Sequence, residues 1–600
     1  MLLTNFDNCP MHKLMTLSAL ALLTACTANI PNTADKPHLS STVNTDFTAG
    51  PRGMVVTANP HATKAGADIL RAGGSAVDAA IAIEAVLTLV EPQSSGLAGG
   101  AYMVHFHNSD NRLTVYDGRE TAPASATETM FLNSKGGSIG FLNAKNSGLS
   151  TGVPGVISMF EIAHKDHGKL PWGVHFNRAK QLANDGFAVS PRLKSIIDRF
   201  GKYIPKTRDQ GPTDAHQYFF DDNGDALKVG DIRTNKAYAA TLDAIARSPK
   251  EFYQGEVAQQ IVEQVSLAPR AGGLTRQDMA NYKAKKRQAL CAPYKQKTLC
   301  GPLPSSSWVA VGEIMGLIEH APEFSDKGAD DAYNWSIFAE AQRLAYADRD
   351  QYVGDSDFVS VPLQGMLNKQ YLQQRAQLIN PHKAMIDISA GDPWVYQDSP
   401  KVAYGHDGTV DAAGTTHFVV VDKDGDVVSM TASVESIFGS TRMAGGMFLN
   451  NQLTDFSFKP KDANGRDVVN KVMHNKRPRS SMSPTIVLDK EGEFLMATGS
   501  PGGNSIIAYT AKTLVGVFDW NLTPQEAVAL PNMVARNNKV RIEKSRATDE
   551  LISGLKSTGF NVHESAGENS GLSVILKHAD GRLEGGVDPR REGVIEMVEF

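Results

Sequence analysis

Gly414-Thr415-Thr416 puts two hydroxyls at the head of an apolar, β-branched run, 415–421. A second such run, 427–434, follows after Asp422-Lys423-Asp424-Gly425-Asp426. The two runs read as paired strands and the Asp/Gly cluster as their tight turn. A hydroxyl just past a glycine at a strand end could serve as a nucleophile. Threonine is equally a good strand former, and the hairpin alone leaves both readings open. Gly499-Ser500-Pro501-Gly502-Gly503-Asn504 is a second stretch with chemical potential. It lacks the Lys-Ser/Thr of a P-loop and the full spacing of a dinucleotide turn. It does precede a helical pattern, so its amides can face an anion. Asp422, Asp424 and Asp426 are spaced like a calcium loop, but Val427 and Ser433 stand where glycine and a carboxylate are needed. Asp221 to Asp225 fails the same test, and both stretches read as turns.

These groups must be held by a large framework. A chain of 600 residues makes two or three domains or one large layered one. Its 41% hydrophobic and 21% charged content is that of a soluble globular protein. A net charge of -5 with no long basic run argues against nucleic acid as a partner. At the N-terminus, Met11-His12-Lys13 leads into an apolar run, 14–25, too short to span a membrane and shaped like a signal h-region. It ends Leu23-Thr24-Ala25-Cys26, which resembles a bacterial lipoprotein box. The expectation is a signal peptide over 1–25, a lipidated Cys26, and a flexible Thr/Asn/Ser/Pro-rich tether to residue 50. Thr27 after the cysteine points to the periplasmic face of the outer membrane. An ordinary signal peptide or an uncleaved anchor is the alternative, and Met11 could be the start. Cys291 and Cys300 flank a tight hairpin pattern and, in an exported protein, are expected to form a disulfide, with two buried thiols as the alternative. Neither has the neighbours of a metal site.

Periodicity predicts a strand over 54–58 and a helix over 61–72 that Gly73-Gly74 stops. Ser75 caps a helix over 76–90 with Asp78 in the capping-box position, and that helix is apolar on most sides, so it should be buried. Strands follow over 101–106 and 113–116. A helix with Val156, Met159, Phe160 and Ala163 on one face ends at Gly168. Residues 150–350 are mostly helical by pattern, with the clearest helix over 331–350. Beyond 414 come strands, turns and two helices: one over 506–518, and one opening Thr523-Pro524-Gln525-Glu526 with cap, proline and acid in place. The tail over 572–583 reads as a hairpin. Strands at both ends with helices between imply a sheet sandwich flanked by helices.

Several long strings now fall in one order. They are Arg119 within Asp117-Gly118-Arg119-Glu120-Thr121-Ala122-Pro123, the turn Gly152-Val153-Pro154-Gly155, and 339–358. Then come Gly414-Thr415, Ser433 with Glu435, the stretch 450–456, the stretch 476–485, and Gly502-Gly503. From about Gly53 to the C-terminus this order resembles the γ-glutamyltransferase family of the N-terminal nucleophile hydrolases. The resemblance implies an α+β fold, a four-layer αββα sandwich built from one autocleaved precursor. The cut would fall between Gly414 and Thr415, giving a large subunit, 51–414 after the tether, and a small subunit, 415–600, paired as a heterodimer. Thr415 would then carry both a hydroxyl nucleophile and a free α-amine, a group that ordinarily titrates at about 7.7–8.0 and can act as its own base. Ser433 matches the position that hydrogen-bonds the nucleophile. Gly502 and Gly503 match the oxyanion pair, a kind of donor worth about 2.7–4 kcal/mol. Arg119, Ser480 and Ser481 match the binders of the substrate α-carboxylate, and an arginine fork suits that task. Glu435, Gln452 and Asp455 match the binders of the α-ammonium. The implied substrates are glutathione and γ-glutamyl peptides, with water, amino acids or dipeptides as acceptors, and no metal or organic cofactor. His417 reads as structural. Gly414 is expected to give the backbone a strained geometry for self-cleavage.

Three features depart from the family pattern. The segment 456–475 is shorter than a lid loop and lacks tyrosine, which implies a more open acceptor side. Ser305-Ser306-Ser307-Trp308 replaces Ser-Gly-Gly, and Ala98 replaces a glycine. Both bear on acceptor preference. The rival functions are a cephalosporin or glutaryl acylase and an uncleaved lipoprotein that only binds γ-glutamyl peptides.

Overall fold

The sequence reads as two strands at 415–421 and 427–434, and every residue of Gly414–Val421 and Val427–Glu435 is buried. Such a hairpin must be covered on both faces. The computed structural model describes residues 52–600 except 210, 410–413 and 568, so the leader, the tether and Cys26 lie outside the described residues. In chain order the main strands begin with β1 (Arg52–Thr57), β2 (Gly100–His107), β3 (Arg112–Asp117), β4 (Lys285–Arg287), β5 (Leu290–Tyr294) and β6 (Lys297–Gly301). They continue with β7 (Gly414–Val421), β8 (Val427–Glu435), β9 (Thr485–Leu488), β10 (Phe494–Gly499), β11 (Ser573–Lys577), β12 (Leu583–Val587) and β13 (Val594–Glu599). One antiparallel sheet has the order β13-β1-β7-β8-β2-β3-β4 and the other β12-β11-β10-β9-β6-β5.

Side-chain alternation then sorts the core into layers. Val419 and Val421 of β7 meet Ile486, Ala497 and Ile575 of the second sheet. Phe418 and Val420, one residue out of phase, pack on the opposite face among helical residues. Those helices include α1 (Pro60–Arg71), α2 (Ala76–Val90) and α3 (Val156–His167). On the outer face of the second sheet, Val487 and Met496 pack with α4 (Trp308–His320), α5 (Ala332–Tyr352) and α6 (Ile506–Phe518). The result is the expected αββα sandwich.

Local signals set most boundaries. All of α2 is buried, and Ser75 and Asp78 close its capping box. α1 starts one residue before its expected position because Asn59 caps it and Pro60 takes the first helical place. The small-subunit half holds a third helix, Asp549–Ser557, which the pattern missed. It buries only Leu551, Ile552 and Leu555, a stripe too narrow to show as periodicity. Its usable signals are the Thr548 cap and two acids in the first turn. Asp422–Asp426 is a turn, with Asp422 accepting from the amides of Asp424 and Asp426, and Asp221 accepts from Asn223 and Asp225 in the same manner. Cys291 and Cys300 form a disulfide between the paired strands β5 and β6. Among the described residues no helix is long and apolar enough to cross a membrane.

Candidate active site

Hairpin register brings the first two candidate residues together. Thr415 pairs with Ser433, Gly414 pairs with Glu435, and the ladder slips between Gly414 and Thr415. A bulge of this kind re-aims side chains, and here it falls on the expected cut. Ser433 Oγ lies 3.3 Å from Thr415 Oγ1 and 2.8 Å from the Gly414 carbonyl oxygen. It also accepts from the Glu435 amide at 2.8 Å. A carbonyl cannot donate, so the Ser433 proton goes to Gly414 O and the Thr415 hydroxyl donates to Ser433.

Gly414 serves by its lack of a side chain. A Cβ there would lie 2.4 Å from Ser436 O and 2.7 Å from Glu435 O, both backbone atoms. Backbone strain is seen at its strand partner Glu435, a non-glycine residue at φ 81°.

Thr415 shares a strand face with His417. The His417 ring is buried, bonds Thr431 Oγ1 at 2.9 Å, and has its pKa pushed down to about 3 by burial. Burial therefore favours the neutral ring, with Nδ1 engaged by Thr431. A Cβ on Gly499 would lie 2.5 Å from that ring, so this face of β7 looks toward the end of β10. There the chain turns through Gly502 (φ 141°) and Gly503 (φ 57°) into α6. Both torsions favour glycine, and a Cβ on Gly502 would strike the Tyr509 ring at 2.6 Å.

Arg591 was not foreseen, and it touches the nucleophile's own backbone. Its Nη2 donates to Thr415 O at 3.0 Å and its Nε to Ser570 O at 3.1 Å. Its Nη1 reaches Glu91 at 3.3 Å, and Glu91 also accepts from Arg192 at 2.9 Å. A Cβ on Gly571 would sit between Arg591 Nε (2.4 Å) and Pro501 Cγ (2.8 Å), which ties the glycine turn to Thr415 through Arg591.

The candidate substrate binders adjoin. Arg119 is fully buried, and its Nη2 donates to Asp455 Oδ2 at 2.6 Å and to Arg479 O at 2.9 Å. Gln452 Nε2 donates to the same Asp455 oxygen at 3.1 Å. An α-carboxylate and an α-ammonium hang from one carbon, so their binders must be neighbours, as Arg119 and Asp455 are. Gln452 Oε1 is buried without a hydrogen-bond donor among the described residues, which leaves it free to accept one. Glu435 accepts from Ser436 Oγ at 2.5 Å and from Asn451. Ser481 Oγ accepts from Arg349 Nη2 at 2.8 Å, and Arg349 Nε reaches Ser307 Oγ at 3.1 Å.

Ser480 exchanges backbone hydrogen bonds with Ser305 (2.8 Å) and Ser307 (2.7 Å). The Ser305–Ser307 departure thus abuts Ser480, a candidate carboxylate binder. Glu120, beside Arg119, was also missed. Burial raises its pKa to about 7 against the pull of Arg119, with Asp117 and Glu435 pushing the same way as burial. Among the described residues, Asp78, His164 and His175 are close enough to share a metal ion. Asp78 already serves in the capping box of α2 and accepts from the Ser75, Lys169 and Leu170 amides.

The Gamma-glutamyltranspeptidase family model matches residues 62–598. The glutathione hydrolase proenzyme of Escherichia coli (strain K12) is 35% identical over 549 residues, 90% of each chain. The glutathione hydrolase proenzyme of Bacillus subtilis (strain 168) is 32% identical over 586 residues, 96% of this chain and 97% of that one. Among solved structures, a cephalosporin acylase from Bacillus halodurans superposes with a TM-score of 0.78 at 25% identity, covering 94% of this chain and 99% of that one.

Proposed function

Because the chain belongs to the γ-glutamyltranspeptidase family, we propose that it is a γ-glutamyltransferase and glutathione hydrolase, made as a precursor and cut between Gly414 and Thr415. The observation that carries this is the Ser433 hydroxyl, which links Thr415 Oγ1 and Gly414 O at the bulge. Thr415 Oγ1 attacks the Gly414 carbonyl carbon, and the oxygen gains negative charge against the Ser433 O–H. The C–N bond breaks, the Thr415 nitrogen takes up the proton that Oγ1 gave up and leaves as an amine, and an ester remains. Water hydrolyses the ester, freeing the Gly414 carboxylate and regenerating the hydroxyl. Large and small subunits then form a heterodimer.

In turnover the new α-amine takes the Thr415 hydroxyl proton. The oxygen attacks the γ-glutamyl carbonyl with Gly502 and Gly503 amides as oxyanion donors. The leaving amine takes a proton, and a γ-glutamyl ester stays on Thr415. Water or the amine of an amino acid or peptide resolves it. Arg119, Ser480 and Ser481 hold the α-carboxylate; Glu435, Gln452 and Asp455 hold the α-ammonium. Glutathione and γ-glutamyl peptides are the donors.

The likeness to a cephalosporin acylase supports a second reading, a glutaryl acylase. A glutaryl group has no α-ammonium, and the open Gln452 Oε1 in the side chain that bonds Asp455 favours a substrate that has one. An uncleaved binding lipoprotein would not need the Thr415–Ser433 pair. Export to the periplasm, with lipidation of Cys26 and attachment to the outer membrane, is proposed from the leader, and the Cys291–Cys300 disulfide supports an oxidising compartment. Intact mass of the purified protein, with turnover of γ-glutamyl and glutaryl anilides, tests the enzyme readings. An intact chain with no turnover would end both, and preference for the glutaryl anilide would select the acylase.

A further inference from the structure

Asp78 divides its carboxylate between two tasks. Oδ2 accepts from the Ser75, Lys169 and Leu170 amides at 2.9, 2.8 and 3.2 Å, which fixes the orientation of the group. Oδ1 takes none of these bonds and faces two imidazoles instead. It lies 2.9 Å from His175 Nε2 and 3.6 Å from His164 Nε2. All three atoms lie within 4.8 Å of one another, and the Asp78 and His175 side chains are fully buried. Among the described residues, neither Asp78 Oδ1 nor His175 Nε2 makes a hydrogen bond.

The far nitrogen of His175 explains the pairing. Nδ1 bonds the Trp172 carbonyl oxygen at 2.7 Å. A carbonyl only accepts, so Nδ1 carries the hydrogen, and a neutral ring turns its Nε2 lone pair toward Asp78 Oδ1. Two acceptors at 2.9 Å call for a shared positive charge, either a proton on the ring or a bound metal ion. A backbone carbonyl on the far nitrogen is also the usual outer support of a metal-bound histidine. Trp172 is itself held, its Nε1 donating to Ile245 O at 2.8 Å.

His164 comes from the last turn of α3 and packs edge-on against His175, with ring centroids 5.1 Å apart. Its Nε2 donates to Leu170 O at 2.9 Å. Its side chain is 20% exposed, which gives the cluster an opening to solvent.

We propose that Asp78, His164 and His175 form a zinc site, apart from the reaction described above. It ties the first turn of α2 to the end of α3 and to the short turn Trp172–Phe176. Two imidazoles and one carboxylate suit a divalent ion of the zinc class; calcium and magnesium take oxygen ligands. Ligand atoms about 2.0–2.2 Å from one zinc lie roughly 3–4 Å apart, so separations of 2.9 and 3.6 Å need only small shifts. On binding, the His164 hydrogen moves from Nε2 to Nδ1, and Leu170 O loses that donor. The fourth position falls to this oxygen or to water. All three ligands belong to the large-subunit half, and the β7–β8 turn rests beside them. Asp422 of that turn accepts from the Ala76 amide at 3.0 Å, and Asp424 pairs with Lys169. The ion would therefore brace the seat of the nucleophile's hairpin at the end remote from Thr415.

The test uses the full-length protein without an affinity tag, stripped with a chelator and re-equilibrated with zinc chloride. One zinc per polypeptide is expected by elemental analysis after gel filtration. The melting temperature should rise, since an ion that binds only the folded state stabilises it. His164→Gln and His175→Gln should each weaken binding by at least about tenfold, the lower bound for loss of an outer-shell partner, read by competition with a chromophoric chelator. Both should abolish the zinc-dependent melting shift. His107→Gln, in the separate stack of His105, His107 and His167, should bind as the wild type does. X-ray absorption at the zinc edge should show two imidazoles in a nitrogen and oxygen shell at about 2.0–2.2 Å. If His175→Gln fails to fold, His164→Gln, with its ring at the opening, decides alone. A wild-type protein that takes up no zinc, or zinc bound equally well by His164→Gln, overturns the proposal and leaves Asp78 and His175 as an ion pair.

Discussion

Ser433→Ala removes one oxygen that does three things. It takes the hydrogen bond from Gly414 O (2.8 Å), the acceptor from the Glu435 amide (2.8 Å), and the partner from Thr415 Oγ1 (3.3 Å). The first contact sets the rate of self-cleavage. A donor aimed at a developing oxyanion is worth about 2.7–4 kcal/mol, or roughly 10²–10³ in rate at 1.36 kcal/mol per decade. The bond already exists in the precursor, so only its strengthening toward the transition state counts. The lower end, about 10²-fold, is therefore expected. The second contact concerns stability. A buried Glu435 amide without an acceptor costs about 1–3 kcal/mol, so a thermal melt must accompany the rate. The assay is conversion of fresh precursor into two chains, followed on denaturing gels and by intact mass. Ser433→Ala should melt cooperatively at a lower temperature and cleave about 10² times more slowly, while Ser433→Thr, which keeps the hydroxyl, should stay near wild type. Cleavage of a folded Ser433→Ala within threefold of the wild-type rate would refute the role given to this hydroxyl.

Gly414→Ala should slow maturation, because its Cβ would press on two backbone oxygens, at 2.4 and 2.7 Å, and move Gly414 O off Ser433; gel conversion at the wild-type rate would show the space to be dispensable. Arg591→Met should lower kcat by about ten- to a hundredfold, since a displaced nucleophile loses near-attack geometry, with donor KM little changed. Arg192 still pairs Glu91 in that variant, so the fold should survive, and an unchanged kcat would reduce Arg591 to a packing residue. Glu84 gives a pH prediction. Burial raises its folded pKa from 4.5 to about 8, and the charge of Glu91 pushes the same way. The folded state then holds a proton that the unfolded state releases, so stability falls as pH rises from 4.5 to about 8. The slope is at most about 1.4 kcal/mol per pH unit. Urea unfolding at pH 5 and 8 should show Glu84→Gln losing less than wild type, and equal losses would contradict the assignment.

Which of these residues could be read from sequence depends on how local their signal is. β7, β8, α2 and α6 announce themselves through periodicity, caps and turn residues within one element. The Thr415–Ser433 pairing also follows locally, because a tight turn fixes the register of a hairpin. Gln452 and Asp455 have no such signature. They became candidates through resemblance, and only the fold shows that one meets Arg119 through the other. Arg591 had neither route. It lies in the tail between β12 and β13, 176 positions from Thr415 and 500 from Glu91, and meets both. Nothing in Asp588-Pro589-Arg590-Arg591 states which strand end it will reach. That depends on β13 pairing with β1 and β1 with β7, two steps across one sheet. The outer edge of the first sheet thus brings the tail to the nucleophile. Arg591 joins Thr415 O, in the small-subunit half, to Glu91, in the large-subunit half. If the chain is cut at Gly414, this guanidinium holds the new N-terminal residue by an interaction that does not pass through the broken bond.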